Sequence, residues 1–157
     1  MTGNPVLTDR VELPIVGASR VAAWVESTRL GGTSGVARHV LLIEDETNIA
    51  EALRFILERD GWQVSALGDG AQAVVTVGRL RPDLVILDLM LPGASGLEIL
   101  AALRADPATA DLPVLMLTAK GQARDRAAAE AAGVSRFMAK PFANAEVVAA
   151  ASTLVPR

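Results

Sequence analysis

The sequence predicts an α/β fold, a parallel five-stranded sheet covered by helices. Three observations carry this expectation. From His39 onward, short apolar runs alternate with segments of helical periodicity, five times over. The central runs, residues 40–43 and 84–87, are continuously apolar, which suits strands buried on both faces. The connections are short, so each crossover returns the chain parallel and right-handed.

The elements follow in order. Residues 40–43 form the first strand, ending at Glu44-Asp45. Ile49, Ala52, Leu53, Ile56 and Leu57 then recur at helical spacing until Gly61 stops the helix. Residues 62–67 read as the second strand, bounded by Gly68-Asp69-Gly70, and 71–80 as a helix ended ahead of Pro82. The third strand, 84–87, runs into Asp88, and Pro92-Gly93 turns the chain toward a helix over 96–105 that Asp106-Pro107 closes. Residues 113–117 are the fourth strand and 122–132 an Ala-rich helix ending at Gly133. The fifth strand, 135–139, stops at Lys140-Pro141, and the last helix covers 143–154.

Residues 1–37 break this pattern and form an N-terminal extension to a domain over 38–157. Pro5, Pro14 and Gly17 interrupt it, and Gly31-Gly32-Thr33-Ser34-Gly35 reads as a linker. Between them, residues 19–30 form either a flexible tail or a short amphipathic docking helix carrying Trp24.

Composition narrows the function classes. A net charge of −3 and the lack of a Lys/Arg stripe argue against direct nucleic-acid binding. Without cysteine there are no disulfides or thiolate metal sites. No apolar run reaches membrane-spanning length and no signal-peptide pattern opens the chain, so a soluble cytoplasmic protein is expected. His39, the only histidine, precedes the first strand and lies at the wrong end of the sheet for a phosphocarrier.

The polar residues that end the strands carry the chemistry. Glu44 and Asp45 follow the first strand, Asp88 the third, Thr118 the fourth and Lys140 the fifth. In a parallel sheet these all fall on one edge, where ligands bind. Any one of them has a plain structural reading as turn former, cap or surface charge. Their joint placement does not. Clustered carboxylates raise one another's pKa unless a hard cation relieves them, and an all-oxygen set suits Mg²⁺ or Mn²⁺. Lys140 adds a compact positive charge and Thr118 a hydroxyl donor. Such a site holds a tetrahedral anion beside a carboxylate able to act as phosphoryl acceptor, with Asp88 the nucleophile.

From residue 39 on, the chain resembles the receiver domain of two-component response regulators. The resemblance rests on the apolar run ending in Glu44-Asp45, on Leu87-Asp88-Leu89-Met90-Leu91-Pro92-Gly93 with Gly96 beyond, on Leu117-Thr118-Ala119, and on Phe137-Met138-Ala139-Lys140-Pro141-Phe142. It implies a flavodoxin-like, doubly wound (βα)5 fold with strand order 2-1-3-4-5. It further implies that Asp88 accepts phosphate from a histidine kinase or histidine phosphotransfer protein. Asp45 then ligates the cation directly, Glu44 acts mainly through water, and Asp88 and the Met90 carbonyl complete the protein ligands. Thr118 and Lys140 contact the phosphoryl group, and Phe137 is the switch aromatic that follows Thr118. The downstream protein partner docks on the face made by the fourth helix, fifth strand and fifth helix. The chain stops at Arg157, so a single-domain regulator without an output module is expected. Glu44-Asp45 is a variant of the more frequent Asp pair, and the Lys140-Pro141 bond is expected to be cis.

Two other functions are open to the sequence. One is a docking module of the same fold that is never phosphorylated, which the intact Asp45, Asp88, Thr118 and Lys140 disfavour. The other is an aspartate-nucleophile phosphatase, which needs a second Asp two residues after the nucleophile, where this chain has Met90. By the resemblance, Met90 and Lys120 occupy the positions that tune phosphoryl lifetime. Neither side chain readily orients an attacking water, so slow, cation-dependent self-dephosphorylation is expected. The check is the decay of phosphorylated protein in purified form, and a lifetime of only seconds contradicts the expectation.

Overall fold

The structure, a computed structural model, describes residues 36–119 and 123–157. The candidate helix over 19–30, the linker over 31–35, and Lys120 lie outside the described residues. Five strands, β1 (His39–Ile43), β2 (Gln63–Leu67), β3 (Leu84–Asp88), β4 (Val114–Thr118) and β5 (Arg136–Ala139), pair in parallel in the order β2-β1-β3-β4-β5. Five helices alternate with them: α1 (Thr47–Arg59), α2 (Ala73–Leu80), α3 (Gly96–Ala105), α4 (Ala123–Ala131) and α5 (Asn144–Leu154).

Strand residues point alternately to the two faces, and the core splits accordingly. Leu41, Ile43, Val85, Leu87, Val114 and Met116 meet Ala73, Val77, Ile99, Leu100, Leu103 and Ala129 of α2, α3 and α4. Val40, Leu42, Leu84, Ile86, Leu115 and Leu117 meet Leu53, Leu57, Val147, Ala150 and Ala151 of α1 and α5. Both faces are therefore covered, which is why β3 and β4 are buried along their whole length. The chain reverses its direction across the sheet between β1 and β3, and the crevice at their C-terminal ends is the natural ligand position.

Local chemistry sets most boundaries. Ser95 caps α3 in a reciprocal box with Glu98: its Oγ accepts from the Glu98 N–H at 3.2 Å, and Glu98 accepts from the Ser95 N–H at 3.0 Å. The α1 turn closes through Gly61 at φ +93°. Asp69 accepts from the Ala71 N–H at 2.7 Å and starts a single 3₁₀ turn over 70–72, so α2 begins two residues later than periodicity suggests. Trp62 also departs from expectation. It lies just before β2 rather than in it, buried in the α1/α5 layer with the Arg38 guanidinium 4.1 Å from its ring centre. Asp88 and Thr118 are the last residues of their strands rather than the first beyond them, so the ladder itself fixes their backbones.

Ile86 is fully buried at the centre of β3. Ile86→Ala is expected to lower stability by about 2–5 kcal/mol, through lost burial and the cavity left behind. Urea unfolding should show a lower midpoint at unchanged slope.

Candidate phosphoacceptor site

The site begins where buried strands run out of apolar residues. Glu44 follows β1 and Asp88 ends β3, and each is only 4% exposed. Carboxylates at that depth need partners. Lys140, immediately after β5, supplies one to both: its Nζ lies 2.8 Å from Glu44 Oε2 and 3.0 Å from Asp88 Oδ2. The Lys140 backbone is tied to β4 by its N–H, which donates to the Thr118 carbonyl at 2.6 Å, and the Lys140-Pro141 bond is cis. The second oxygen of each carboxylate also accepts. Asp88 Oδ1 takes the Met90 N–H and Glu44 Oε1 the Glu46 N–H, both at 3.1 Å. Thr118 is fully buried at the end of the adjacent strand.

Glycine geometry holds the loop after Asp88 against the sheet. A side chain on Gly96 would strike the Asp88 carbonyl, and Gly93, at φ +86°, packs so closely that a Cβ would strike the Asp69 carboxylate. The Pro92-Gly93 turn is thus pinned beside the site. Met90 itself projects outward, 61% exposed, with no carboxyl to serve as the general acid of a phosphatase.

Among the described residues the site is short of positive charge. The Glu44 carboxyl is raised to about 7, chiefly by burial with the Asp88 charge adding, and against hydrogen bonds from Lys140 and from the Glu46 N–H that lower it. Burial acts to lower the Lys140 ammonium, but its hydrogen bonds to Glu44 and Asp88 and their charges outweigh that and hold it above its ordinary value. One carboxylate oxygen each from Glu44, Glu46 and Asp88 lies within 4.8 Å of the others. These are hard oxygen donors, so the donor set fits Mg²⁺ or Mn²⁺.

The structure thus brings together Glu44, Asp88, Thr118 and Lys140 from the sequence reading. Asp45 is exposed and is not one of that three-carboxylate group, which includes Glu46. Sequence reasoning missed Glu46. No sequence signal singled it out: it is the N-cap residue of α1, and only the structure shows that its side chain makes no cap hydrogen bond and lies 3.9 Å from Lys140. Phe137 sits half-buried in β5, packed on the α2/α3/α4 layer and opposite Met116 of β4. It also lines a cleft of about 360 Å³ with Arg126, Glu130, Val134, Ser135 and Arg136.

A parallel (βα)5 sheet with acidic residues, a hydroxyl and a lysine on one edge defines the receiver class of signalling domain. The family model for the response regulator receiver domain matches residues 40–152, and the chain belongs to that family. It is similar to the phosphate regulon transcriptional regulatory protein PhoB of Klebsiella pneumoniae, 39% identical over 122 residues that cover 78% of this chain and 53% of PhoB. The DNA-binding response regulator MtrA of Mycolicibacterium paratuberculosis is 40% identical over 112 residues, 71% of this chain and 48% of MtrA. Among solved structures, the receiver domain of the sensor histidine kinase PA1611 from Pseudomonas aeruginosa superposes with a TM-score of 0.71 at 29% identity, covering 77% of this chain and 99% of that one. In that structure a magnesium ion is coordinated in the active site cleft.

One expectation is corrected here and another is left without support. The exclusion of nucleic acid does not extend to these relatives, since MtrA is by name DNA-binding. An acidic balance constrains only what these residues themselves touch. Second, the chain spans about half the length of the curated relatives it matches, so a regulator without an output module gains no support from them. Among the described residues no helix is long and apolar enough to cross a membrane.

The raised Glu44 value has a consequence for stability. In metal-free protein the folded state keeps the Glu44 proton up to about pH 7, whereas the unfolded chain releases it near 4.5. The folded state therefore binds more protons in that window, and stability falls as pH rises through it. Glu44→Gln removes this dependence. Urea titrations in chelator at pH 5 and pH 8 should show the wild type losing more stability than the variant, by up to about 3 kcal/mol. Equal losses contradict the assignment.

Proposed function

We propose that Asp88 is the phosphoacceptor of this receiver domain and that its modification controls the binding of a protein partner. One observation carries the reading: a single largely buried ammonium, Lys140, holds both the Asp88 and Glu44 carboxylates at the sheet edge. An Asp88 oxygen attacks the phosphorus of a phosphohistidine, the P–N bond breaks, and the imidazole leaves with the electron pair. The backbone N–H of Met90 and the Lys140 ammonium orient Asp88 for this attack. Once the phosphoryl group is attached, Lys140 can move from Asp88 onto one of its oxygens, and the Thr118 hydroxyl donates to another. Glu44, Asp45 or Glu46, Asp88 and the Met90 carbonyl would hold the Mg²⁺ or Mn²⁺, which supplies neutralisation of the transferring charge.

Charge rearrangement at Thr118 and Lys140 is read at Phe137, on the adjoining strand, and through it at the face of α4, β5 and α5. The donor is a histidine kinase or histidine phosphotransfer protein. We assign residues 38–157 to the receiver unit and 1–37 to an extension, in a cytoplasmic protein.

The test is to incubate the full chain with Mg²⁺ and acetyl phosphate, and separately with beryllofluoride, beside Asp88→Asn. One phosphoryl group per chain is expected, lost in the variant and in chelator. An equal adduct in Asp88→Asn moves the acceptor elsewhere, absence of any adduct returns the chain to a docking module, and continuous turnover of phosphoesters makes it a phosphatase.

A further inference from the structure

The last turn of α3 carries a side chain whose bonds all leave its own helix. Arg104 donates from Nε to the Gly133 carbonyl at 2.8 Å and from Nη1 to the Thr109 carbonyl at 3.3 Å, and its Nη2 reaches Ser135 Oγ at 3.5 Å. Those three acceptors lie in different segments: the turn that ends α4, the loop between α3 and β4, and the entry to β5. Ser135 Oγ in turn accepts from the Val114 N–H at 3.0 Å, which extends the connection to the first residue of β4. Gly133 adopts φ +88°, and a Cβ there would stand 3.3–3.4 Å from Nε, Cδ and Cγ of Arg104. The guanidinium stem therefore lies directly along the glycine backbone. A planar fork of five N–H donors suits this multiple grip, and a single ammonium does not.

The helix being held is otherwise weakly attached. Among its described residues α4 buries only Ala129, near its C-terminal end. Ala132 and Val134, just beyond, pack against the same core layer. Ala123, Arg124, Arg126 and Ala127, toward the other end, are exposed. The helix is thus anchored at one end and loose at the end nearer Thr118. Short, sparsely buried elements are the ones that open and move first.

We propose that Arg104 is a latch that fixes the C-terminal end of α4 and the start of β5 to α3. Within α4, the loose end is then the part free to respond when Asp88 is modified, and Gly133 is the pivot. This rests on the phosphoacceptor reading for its trigger, but the latch itself does not.

Residue-resolved hydrogen exchange on the full chain tests both parts. The reporters are the amides of Gly133, Val134 and Ser135, bonded to the carbonyls of Glu130, Ala129 and Val114. In the wild type, beryllofluoride with Mg²⁺ should alter exchange in the first half of α4 and leave these three amides unchanged. In Arg104→Met they should exchange at least about tenfold faster, relative to the amides of β3, and become responsive to beryllofluoride. Arg104→Lys, which keeps the charge but not the fork, should fall between. Three results overturn the latch: unchanged reporters in Arg104→Met, acceleration equal to that of β3 (a global loss of stability), or reporters that already respond in the wild type. If no wild-type amide responds to beryllofluoride, the phosphoacceptor reading fails, and the latch is still decided by the exchange of Arg104→Met without it.

Discussion

The interaction on which the site depends is the one ammonium shared by two carboxylates at the C-terminal edge of the sheet. Glu44 just after β1 and Asp88 at the end of β3 terminate the apolar runs of two adjacent strands, at a depth where an unpaired charge costs several kcal/mol. Lys140 offsets that cost for both, because parallel pairing brings the end of β5 to the same edge. Among the described residues three carboxylate groups face one ammonium, and burial, with the Asp88 charge adding to it, raises the Glu44 carboxyl to about 7 despite its hydrogen bond from Lys140. A site left short of positive charge and rich in oxygen donors favours a hard cation. With the cation comes the capacity to accept an anion such as a phosphoryl group.

The scaffold is rigid where the chemistry needs it and loose where signalling needs movement. β3 is buried on both faces, and the loop after it is held by the missing side chain of Gly96 and by the capping box at Ser95. These features fix the Asp88 carboxylate to the sheet. α4 is different. Its small alanines give it little apolar surface to bury, and its tie to the body is concentrated at Gly133 and Arg104. The contrast between a fixed carboxylate and a lightly attached helix is what a two-state signalling domain requires.

Much of the site was legible in the sequence because strand ends announce themselves. An apolar run stopping at a charged or hydroxyl residue marks both the strand's limit and the edge it faces, and Asp88, Thr118 and Lys140 could be placed on that basis. Glu46 could not. In the sequence it is a third acidic residue at a helix start, where an ordinary interaction with the helix N-terminus is the simplest reading. Only the turn after β1 decides that its carboxylate, rather than that of Asp45, approaches Glu44 and Asp88. Trp62 was misplaced by one residue for a related reason. An aromatic residue next to an apolar run reads as strand, whereas burial against α1, α5 and Arg38 takes place just before the ladder begins.

By itself the sequence determined the class of fold, the alternation of elements, the two-sided burial of the central strands and the edge on which the polar residues gather. These follow from periodicity and from the parallel geometry that short crossovers impose, both of which are local or nearly so. The tertiary structure decided the pairing of Lys140 with Glu44 and Asp88, the upward shift of Glu44, the place of Glu46, and the grip of Arg104 on Gly133. Each of these joins groups from separate elements, and its strength depends on distances of a few ångströms and on burial. Those quantities are set only once the helices have packed on the sheet.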